Sequence, residues 1–197
     1  MLKNFVTEFK TAFKLIILLT VITGLIYPLL ITGIAQLFFP WQANGSLIED
    51  NGKIIGSVLI GQAFDAPEFF WPRPSATSPF PYNAAESGGS NMAPSNPDFL
   101  KLVTERIAKI KQSDPENNLP IPIDLVTASA SGLDPEISPL AAYYQATRIA
   151  KTHHVPEMVI TQLIEDHIKN RTCMLLGQPR VNVLELNIAL NKIGNSD

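Results

Sequence analysis

The sequence predicts an α+β protein in which one N-terminal transmembrane helix precedes a single exported domain with several helices and a small sheet. Three observations predict this class: a long uncharged apolar run near the N-terminus, a β-branched segment after it, and several capped helical patterns beyond that. The 197 residues leave room for one domain of ordinary size besides the membrane segment.

The apolar run covers residues 15–39 and contains no charged side chain. As a helix it would extend about 37 Å, which exceeds a hydrocarbon thickness of about 30 Å. Pro28 has no backbone N–H, so we expect a kink after Tyr27. We therefore predict that residues 15–39 form a transmembrane helix embedded in membrane lipid.

The charges that flank this run are asymmetric. Three lysines precede it and two acids follow it: Lys3, Lys10, Lys14, Glu49 and Asp50. By the positive-inside rule, residues 1–14 are expected in the cytoplasm and residues 40–197 outside the plasma (inner) membrane. The alternative is a cleaved signal peptide, because "GIA" at residues 33–35 matches a small-x-small site. A signal peptide's apolar region of about 7–15 residues is shorter than this run, which favours an uncleaved anchor.

Two segments of the exported part predict strands, and a long loop lies between them. Residues 54–64, "IIGSVLIGQAF", predict a buried strand, and residues 123–128, "IDLVTA", predict a second short one. Residues 66–97 are rich in Pro, Gly, Ser and Asn. Such a loop serves either as an interaction surface or as a packed cover of the core, and both interpretations stay open. Its aromatic side chains are Phe69, Phe70, Trp71, Phe80 and Tyr82.

Four helices are predicted in the exported part, each from a start signal and an apolar face. The first has Asn96 as its N-cap, and the second follows Ser138. The third has Pro156 at its first position, and the fourth begins at a capping box of Asn182 and Glu185. The positions expected to face the core are Phe99, Leu102, Val103, Ile107 and Ile110, then Met158, Val159, Leu163 and Ile164, then Leu184, Leu186, Ile188 and Leu190.

The stretch "VTASASGLDPEISP", residues 126–139, resembles a phosphate-cradling loop in its small residues and glycine. A phosphate loop needs converging N–H donors and a nearby cation. The first cation after Gly132 is Arg148, about three helical turns along if a helix starts near Ser138. We therefore interpret the stretch as a connection in which Gly132 allows a positive φ and Ser138 caps the next helix.

Composition and motifs exclude several classes of function. A net charge of −3 provides no basic footprint for nucleic acid, and the single cysteine, Cys173, forms no intrachain disulfide. The sequence has no P-loop, no G-x-S-x-G and no H-E-x-x-H motif, so we predict no catalytic residue and no metal site. Four acids are weak candidates for a catalytic acid pair: Asp134, Glu136, Glu165 and Asp166. Three histidines are expected at helix ends: His153, His154 and His167.

Seven stretches in order resemble one family over nearly the whole chain. They are "FPWQANGSL", "IGQAF", "RPSAT", "SGGSN", "VTASASGLDPEISPLAAYYQ", "RIAK" and "GQPRVNVLELNIAL". Together they are similar to the C subunit of the Kdp-type potassium-transporting P-type ATPase. The D-K-T-G phosphorylation motif of P-type ATPases is absent, which agrees with an accessory subunit and not with the enzyme itself.

The resemblance implies a role and partners. The expected partners are a channel-like subunit that binds potassium and a P-type subunit that hydrolyses ATP. The C subunit would stabilise their assembly and act as a catalytic chaperone that raises the ATP affinity of the pump subunit. The resemblance implies no tightly bound cofactor. It does imply ATP binding, and it assigns this binding to Gln145 in the helix after "SGLDPEIS".

Two other classes stay open. The first is a membrane-anchored exported module that presents its aromatic loop to a soluble ligand or to an envelope partner. The second is an anchored hydrolase of unrecognised type, although no catalytic constellation supports it.

The predicted orientation bears on the role of Gln145. An exported Gln145 would lie on the opposite side of the membrane from cytoplasmic ATP. This favours the alternative that Gln145 contacts its own domain or a partner subunit.

Overall fold

A computed structural model describes residues 2–50 and 52–194 of the chain. The chain divides into two compact units, Met1–Leu47 and Ile48–Asp197. The first unit is helical, and the second combines helices with small antiparallel sheets. The predicted α+β class with one N-terminal apolar helix is therefore confirmed.

The first unit consists of helical segments in series: α1 (Leu2–Val21), a π-helical turn (Ile22–Ile26), α2 (Tyr27–Phe38) and the short α3 (Pro40–Ala43). One 34-residue stretch of it, Phe5–Phe38, contains an 18-residue window with a mean hydropathy of 2.5 and no buried residue. It is long and apolar enough to cross a membrane.

The π-helical turn has a local cause in the sequence. Pro28 brings no N–H and would crowd the carbonyl of Gly24 four residues earlier in a regular α-helix. The wider turn relieves this crowding, and the N–H of Tyr27 donates to Ile22 O, five residues back. A π turn therefore precedes Pro28, and the kink expected after Tyr27 stays a prediction.

The helices of the second unit are α4 (Pro97–Ser113), α5 (Pro139–His153), α6 (Glu157–His167) and α7 (Val183–Gly194). A 3₁₀ turn covers Ile123–Leu125. The strands are β1 (Leu47–Asp50), β2 (Lys53–Ser57), β3 (Glu136–Ile137), β4 (Ile168–Lys169) and β5 (Arg180–Asn182). Strands β1 and β2 form one sheet, and the second sheet has the order β3-β5-β4.

The hydrophobic core lies between the central strand of the three-stranded sheet and the helices. Val181 lies opposite Ile137 on one side and Ile168 on the other, in antiparallel register. Val181 is fully buried. Around it pack buried side chains of α5, α6, α7 and the aromatic loop, among them Phe70, Ile149, Ile160, Ile164, Leu186 and Leu190.

Three of the predicted caps are present. Asn96 Oδ1 accepts from the N–H of Asp98 at 2.8 Å, and Ser138 Oγ accepts from the N–H of Ala141 at 3.1 Å. Asn182 Oδ1 accepts from the N–H of Glu185 at 3.1 Å, which is one half of the predicted capping box, while the Glu185 carboxylate pairs with Lys169. These bonds satisfy N–H groups that have no partner inside their own helices.

Two strand predictions were wrong in extent or type. The segment 54–64 is a strand only up to Ser57, because Ser57 Oγ and O accept the N–H groups of Leu59 and Ile60 and make a turn. Residues 123–128 begin as a 3₁₀ turn, since the N–H groups of Val126 and Thr127 both donate to Ile123 O. In both segments, local hydrogen bonds replace the ladder that their apolar residues predicted.

The predicted burial of Met158 and of Val159, which is 37% exposed, was also wrong. Met158 is 81% exposed, whereas α6 buries Ile160 and Ile164, which are four positions apart on one face. A position two residues before Ile160 lies about 200° around the helix axis. Pro156 is the N-cap of α6 instead of its first helical residue.

Candidate functional site

The aromatic loop is held by side chains from two helices, and Gln145 of α5 makes the first attachment. The N–H of Trp71 donates to Gln145 Oε1 at 2.8 Å, and Gln145 Nε2 donates to Trp71 O at 3.2 Å. The same Nε2 donates to Ala141 O at 3.1 Å, and Oε1 also accepts from Arg148 Nη2 at 2.8 Å. Both donor hydrogens and both acceptor lone pairs of this carboxamide are therefore engaged. Gln145 is 3% exposed.

Asn187 of α7 makes the second attachment, one residue earlier in the loop. The N–H of Phe70 donates to Asn187 Oδ1 at 2.8 Å, and Asn187 Nδ2 donates to Phe70 O at 3.0 Å. Phe70 and Asn187 are 0% and 1% exposed. The side-chain amides of Gln145 and Asn187 thus bind the N–H and C=O of two consecutive residues, Phe70 and Trp71, as a neighbouring β-strand would. These buried main-chain groups would otherwise have no hydrogen-bond partner.

Arg148, one turn after Gln145, binds the part of the loop that precedes Phe70. Its guanidinium donates to the carbonyl oxygens of Pro67 and Phe69, the latter at 3.0 Å. It also lies 4.7 Å from the centre of the Trp71 ring. Burial lowers the pKa of Arg148 to about 10, and the nearby Asp114 and Glu68 oppose this shift. The arginine is positively charged at neutral pH and is stabilised by carbonyls, an amide oxygen and a ring face.

A cavity of about 260 Å³ opens beside Trp71. Lys109 Nζ lies 5.1 Å from the centre of the Trp71 ring and donates to Asp65 Oδ1 at 2.7 Å. Arg106 Nη1 donates to Val126 O at 2.8 Å, and burial lowers the pKa of this arginine. Cations and an aromatic wall suit a small anion with an apolar part. The polar and aromatic residues that line the cavity include Asp65, Trp71, Arg73, Tyr82, Arg106 and Lys109.

Tyr82 fixes the far wall of this cavity. Its hydroxyl donates to Arg73 O, and the Arg73 guanidinium forms an ion pair with Asp134 at 3.0 Å. Burial, and then the charges of Asp134 and Asp65, raise the pKa of Tyr82, so it remains a protonated donor.

Most of the acids and histidines named from the sequence have side-chain partners: Asp134, Glu136, Asp166, His153 and His167. Asp134 binds Arg73, and Glu136 Oε1 accepts from Arg180 Nε at 2.9 Å across the sheet. The histidines lie at helix ends, as predicted: His153 ends α5, His154 caps it in the left-handed region, and His167 ends α6. Within the described ranges, no group of three or more His, Cys, Asp or Glu is placed to hold a metal ion.

The stretch "VTASASGLDPEISP" is a connection and cap, as predicted. Gly132 has a φ of +66°, and its N–H donates to Ser129 Oγ at 2.9 Å. Ser131 O accepts from the N–H of Gly88 at 2.9 Å, and a Cβ on Gly89 would lie 2.9 Å from Ala130 O. The small residues of "SGGS" and "SASG" therefore allow two loops to touch, and these N–H groups are engaged within the protein.

The sequence pointed to Gln145 only through a resemblance, and it did not predict that Arg148 and Asn187 bind the loop. Asn187 did carry a signal: it stands between Leu186 and Ile188, within the apolar run of α7. A polar side chain in such a run is expected to have a specific partner. The identity of that partner, 117 positions away, was not predictable from the helix pattern.

The chain is similar to known proteins over nearly its whole length. A family model described as "K+-transporting ATPase, c chain" matches residues 9–192. A protein of Herpetosiphon aurantiacus named "Potassium-transporting ATPase KdpC subunit" is 58% identical over 97% of this chain and 99% of its own length. Proteins of the same name from Dechloromonas aromatica and Methylococcus capsulatus are 54% and 50% identical, each over 95% of this chain and at least 98% of their own length.

Proposed function

This chain belongs to the family of K+-transporting ATPase c chains, and we propose that it is a non-catalytic accessory subunit of an ATP-driven potassium uptake complex. The observation that carries this proposal is the match to the family over residues 9–192, which includes both the apolar helix and the domain. The relatives named above bear the name of an ATPase subunit over almost the same length.

In the proposed complex, the partners are a channel-like subunit that binds potassium and a P-type subunit that hydrolyses ATP. The apolar helix would anchor the chain in the plasma (inner) membrane with its N-terminus in the cytoplasm and its domain outside. The main support for this orientation is the three N-terminal lysines set against Glu49 and Asp50.

We also propose that the chain raises the ATP affinity of the pump subunit, and that Gln145 takes part. A direct bond from Gln145 to a nucleotide would require the release of at least one of its four hydrogen bonds. We therefore favour an indirect route in which Gln145 sets the position of Trp71 and of the cavity wall. The partner subunit would then respond to the shape of this surface.

A binding module is the second candidate, and the cavity beside Trp71 favours it. Within the described part of the chain, no carboxylate forms an ion pair with Arg106, so a small anion would find a partly buried cation there. Titration of the full chain with inorganic phosphate, compared with an Arg106→Met variant, tests this function. Binding that the variant loses supports the module.

Co-purification tests the accessory role. The tagged chain, produced together with the other ATPase subunits and extracted in mild detergent, should elute with two large membrane subunits in fixed stoichiometry. Recovery of the chain alone, with those subunits present in the extract, would overturn the accessory role.

The ATP-affinity role needs a separate measurement on assembled complexes. Gln145→Leu and Trp71→Ala should both raise the KM for ATP, whereas Gln162→Leu on the exposed face of α6 should not. An effect of Gln145→Leu without an effect of Trp71→Ala would favour a direct nucleotide contact. An unchanged KM in both variants would remove Gln145 from the proposal.

A further inference from the structure

The connection between β4 and β5 ends in a tip, residues 172–176, that is ordered by its own hydrogen bonds. The N–H of Thr172 donates to Leu176 O, and the N–H of Leu176 donates to Thr172 O, both at 2.9 Å. Cys173 and Met174 have φ values of 52° and 61°, in the left-handed region that side chains other than glycine rarely adopt. The tip is therefore a defined hairpin that holds two residues in unfavourable backbone conformations.

The side chains at this tip are apolar and point away from the domain. Met174 is 87% exposed, Leu175 is 81% exposed and Leu176 is 66% exposed, and Cys173 is exposed beside them. Four successive apolar residues at this tip thus leave most of their surface in solvent. Exposed apolar clusters of this kind mark surfaces that another molecule covers.

Short connections of two and three residues attach the tip to the three-stranded sheet. The connection leaves from β4 and returns to β5, whose Val181 is fully buried at the centre of the core. A surface attached so directly to a core strand loses little conformational freedom when it binds, which favours a stable interface.

The charges around the tip indicate what kind of surface covers it. Lys169 is paired with Glu185 at 2.5 Å, and Arg180 is paired with Glu136 at 2.9 Å. Arg171 is the one charged residue between them, and it donates only a long bond of 3.3 Å to Gln178 Oε1. Among the described residues, no carboxylate pairs with Arg171. The matching surface is therefore an apolar depression with a carboxylate at its rim.

We propose that the tip at residues 172–176 is a docking element that inserts into such a depression on another subunit of the ATPase. This inference rests on the proposed accessory function, because that function supplies the partner. Met174, Leu175 and Leu176 enter the depression, and Arg171 pairs with the carboxylate at its rim.

Cys173 is the single cysteine of the chain, and it provides a native probe at the tip. A maleimide should label Cys173 of the full chain alone in detergent, and about tenfold more slowly in the purified complex, as expected for a residue in a desolvated interface centre. A Cys173→Ser/Met158→Cys variant is the control, because position 158 is 81% exposed at the other end of α6. Its labelling rate should be the same in both states.

A second pair of variants tests the energy of docking. Leu175→Asp should reduce the yield of the complex by about tenfold or more, as loss of an apolar anchor does. Met158→Asp should leave it unchanged. Both variants should unfold like the wild type, because neither position is buried.

The outcomes separate the two proposals. If the wild-type chain forms no complex, the accessory function fails. If it forms a complex in which Cys173 labels at the free rate and Leu175→Asp assembles normally, the docking element alone is overturned. Quenching of a fluorophore on Cys173 by spin-labelled lipid, in vesicles without partner subunits, would also overturn it and assign the tip to the bilayer.

Discussion

Gln145 and Trp71 are 74 positions apart and are joined by two hydrogen bonds between the side chain of one and the main chain of the other. The pair fixes where the aromatic loop meets α5. It also fixes one wall of the cavity, because Trp71 forms that wall. Any change at Gln145 is therefore expected to alter the loop first, and the loop's neighbours through it.

Gln145→Leu should destabilise the domain. The substitution leaves the N–H and C=O of Trp71 without partners, and each buried unsatisfied group costs about 1–3 kcal/mol. Denaturant unfolding of the full chain in detergent measures the loss. The control is Gln162→Leu, which removes an exposed amide that binds Asp166 and should change stability by less than about 0.5 kcal/mol. Equal stabilities for the two variants would contradict the role of Gln145 in holding the loop.

Gln145 and Asn187 should be energetically coupled. They bind consecutive residues of one loop, so release of Phe70 by Asn187→Leu already loosens the segment that Gln145 holds. The double variant should therefore lose less stability than the sum of the single losses, by about 0.5–3 kcal/mol. A double-mutant cycle measured by denaturant unfolding gives this value, and strict additivity would show that the two attachments act independently.

Gly132→Ala should destabilise the domain by about 1 kcal/mol or more, because φ is positive at this position. A steric cost adds to this, since the new Cβ would lie 2.6 Å from Thr77 Cγ2 and 2.7 Å from Gly88 O. The loss should appear in thermal unfolding without ATP.

Gly88→Ala is the matched control, because nothing lies within 4 Å of a Cβ there. Suppose that Gly132→Ala unfolds like the wild type and lowers only the ATP affinity of the complex. The stretch "VTASASGLDPEISP" would then have a nucleotide role instead of a connecting one.

The orientation of the chain can be tested without a new cysteine. Cys173 is exposed in the domain that we expect outside the membrane. In intact cells that produce the chain without the other ATPase subunits, a membrane-impermeant thiol reagent should label it once any outer barrier is opened, and Cys173→Ser should abolish the signal. Labelling that requires cell lysis would place the domain in the cytoplasm.

Tyr82 should make stability depend on pH in the alkaline range. Its pKa is raised in the folded state, mainly by burial, so the folded protein favours the protonated hydroxyl. This contribution is complete below the unfolded value of about 10 and is lost as pH rises through the folded pKa. Tyr82→Phe should lose stability less steeply above that pH than the wild type does. Identical slopes for the two proteins would indicate that the hydroxyl is not held as described.

The sequence by itself determined the features that depend on neighbouring residues. The uncharged run of residues 15–39 predicted the apolar helix, because hydrocarbon length and backbone satisfaction constrain such a run without reference to the rest of the chain. The N-caps at Asn96 and Ser138 were predictable for the same reason, since each cap bonds a residue two or three positions away. The family motifs, in order along the chain, indicated the family.

The tertiary structure decided the features that depend on distant residues. Trp71 is bound by Gln145 and Phe70 by Asn187, and no helical period or strand alternation encodes a contact between positions more than 70 residues apart. The same limit explains the errors. Ser57 turned the predicted strand, and packing against Ile160 and Ile164 left Met158 in solvent. An apolar pattern predicts that a face will be buried, but which face is buried depends on the surface that packs against it, and only the folded chain supplies that surface.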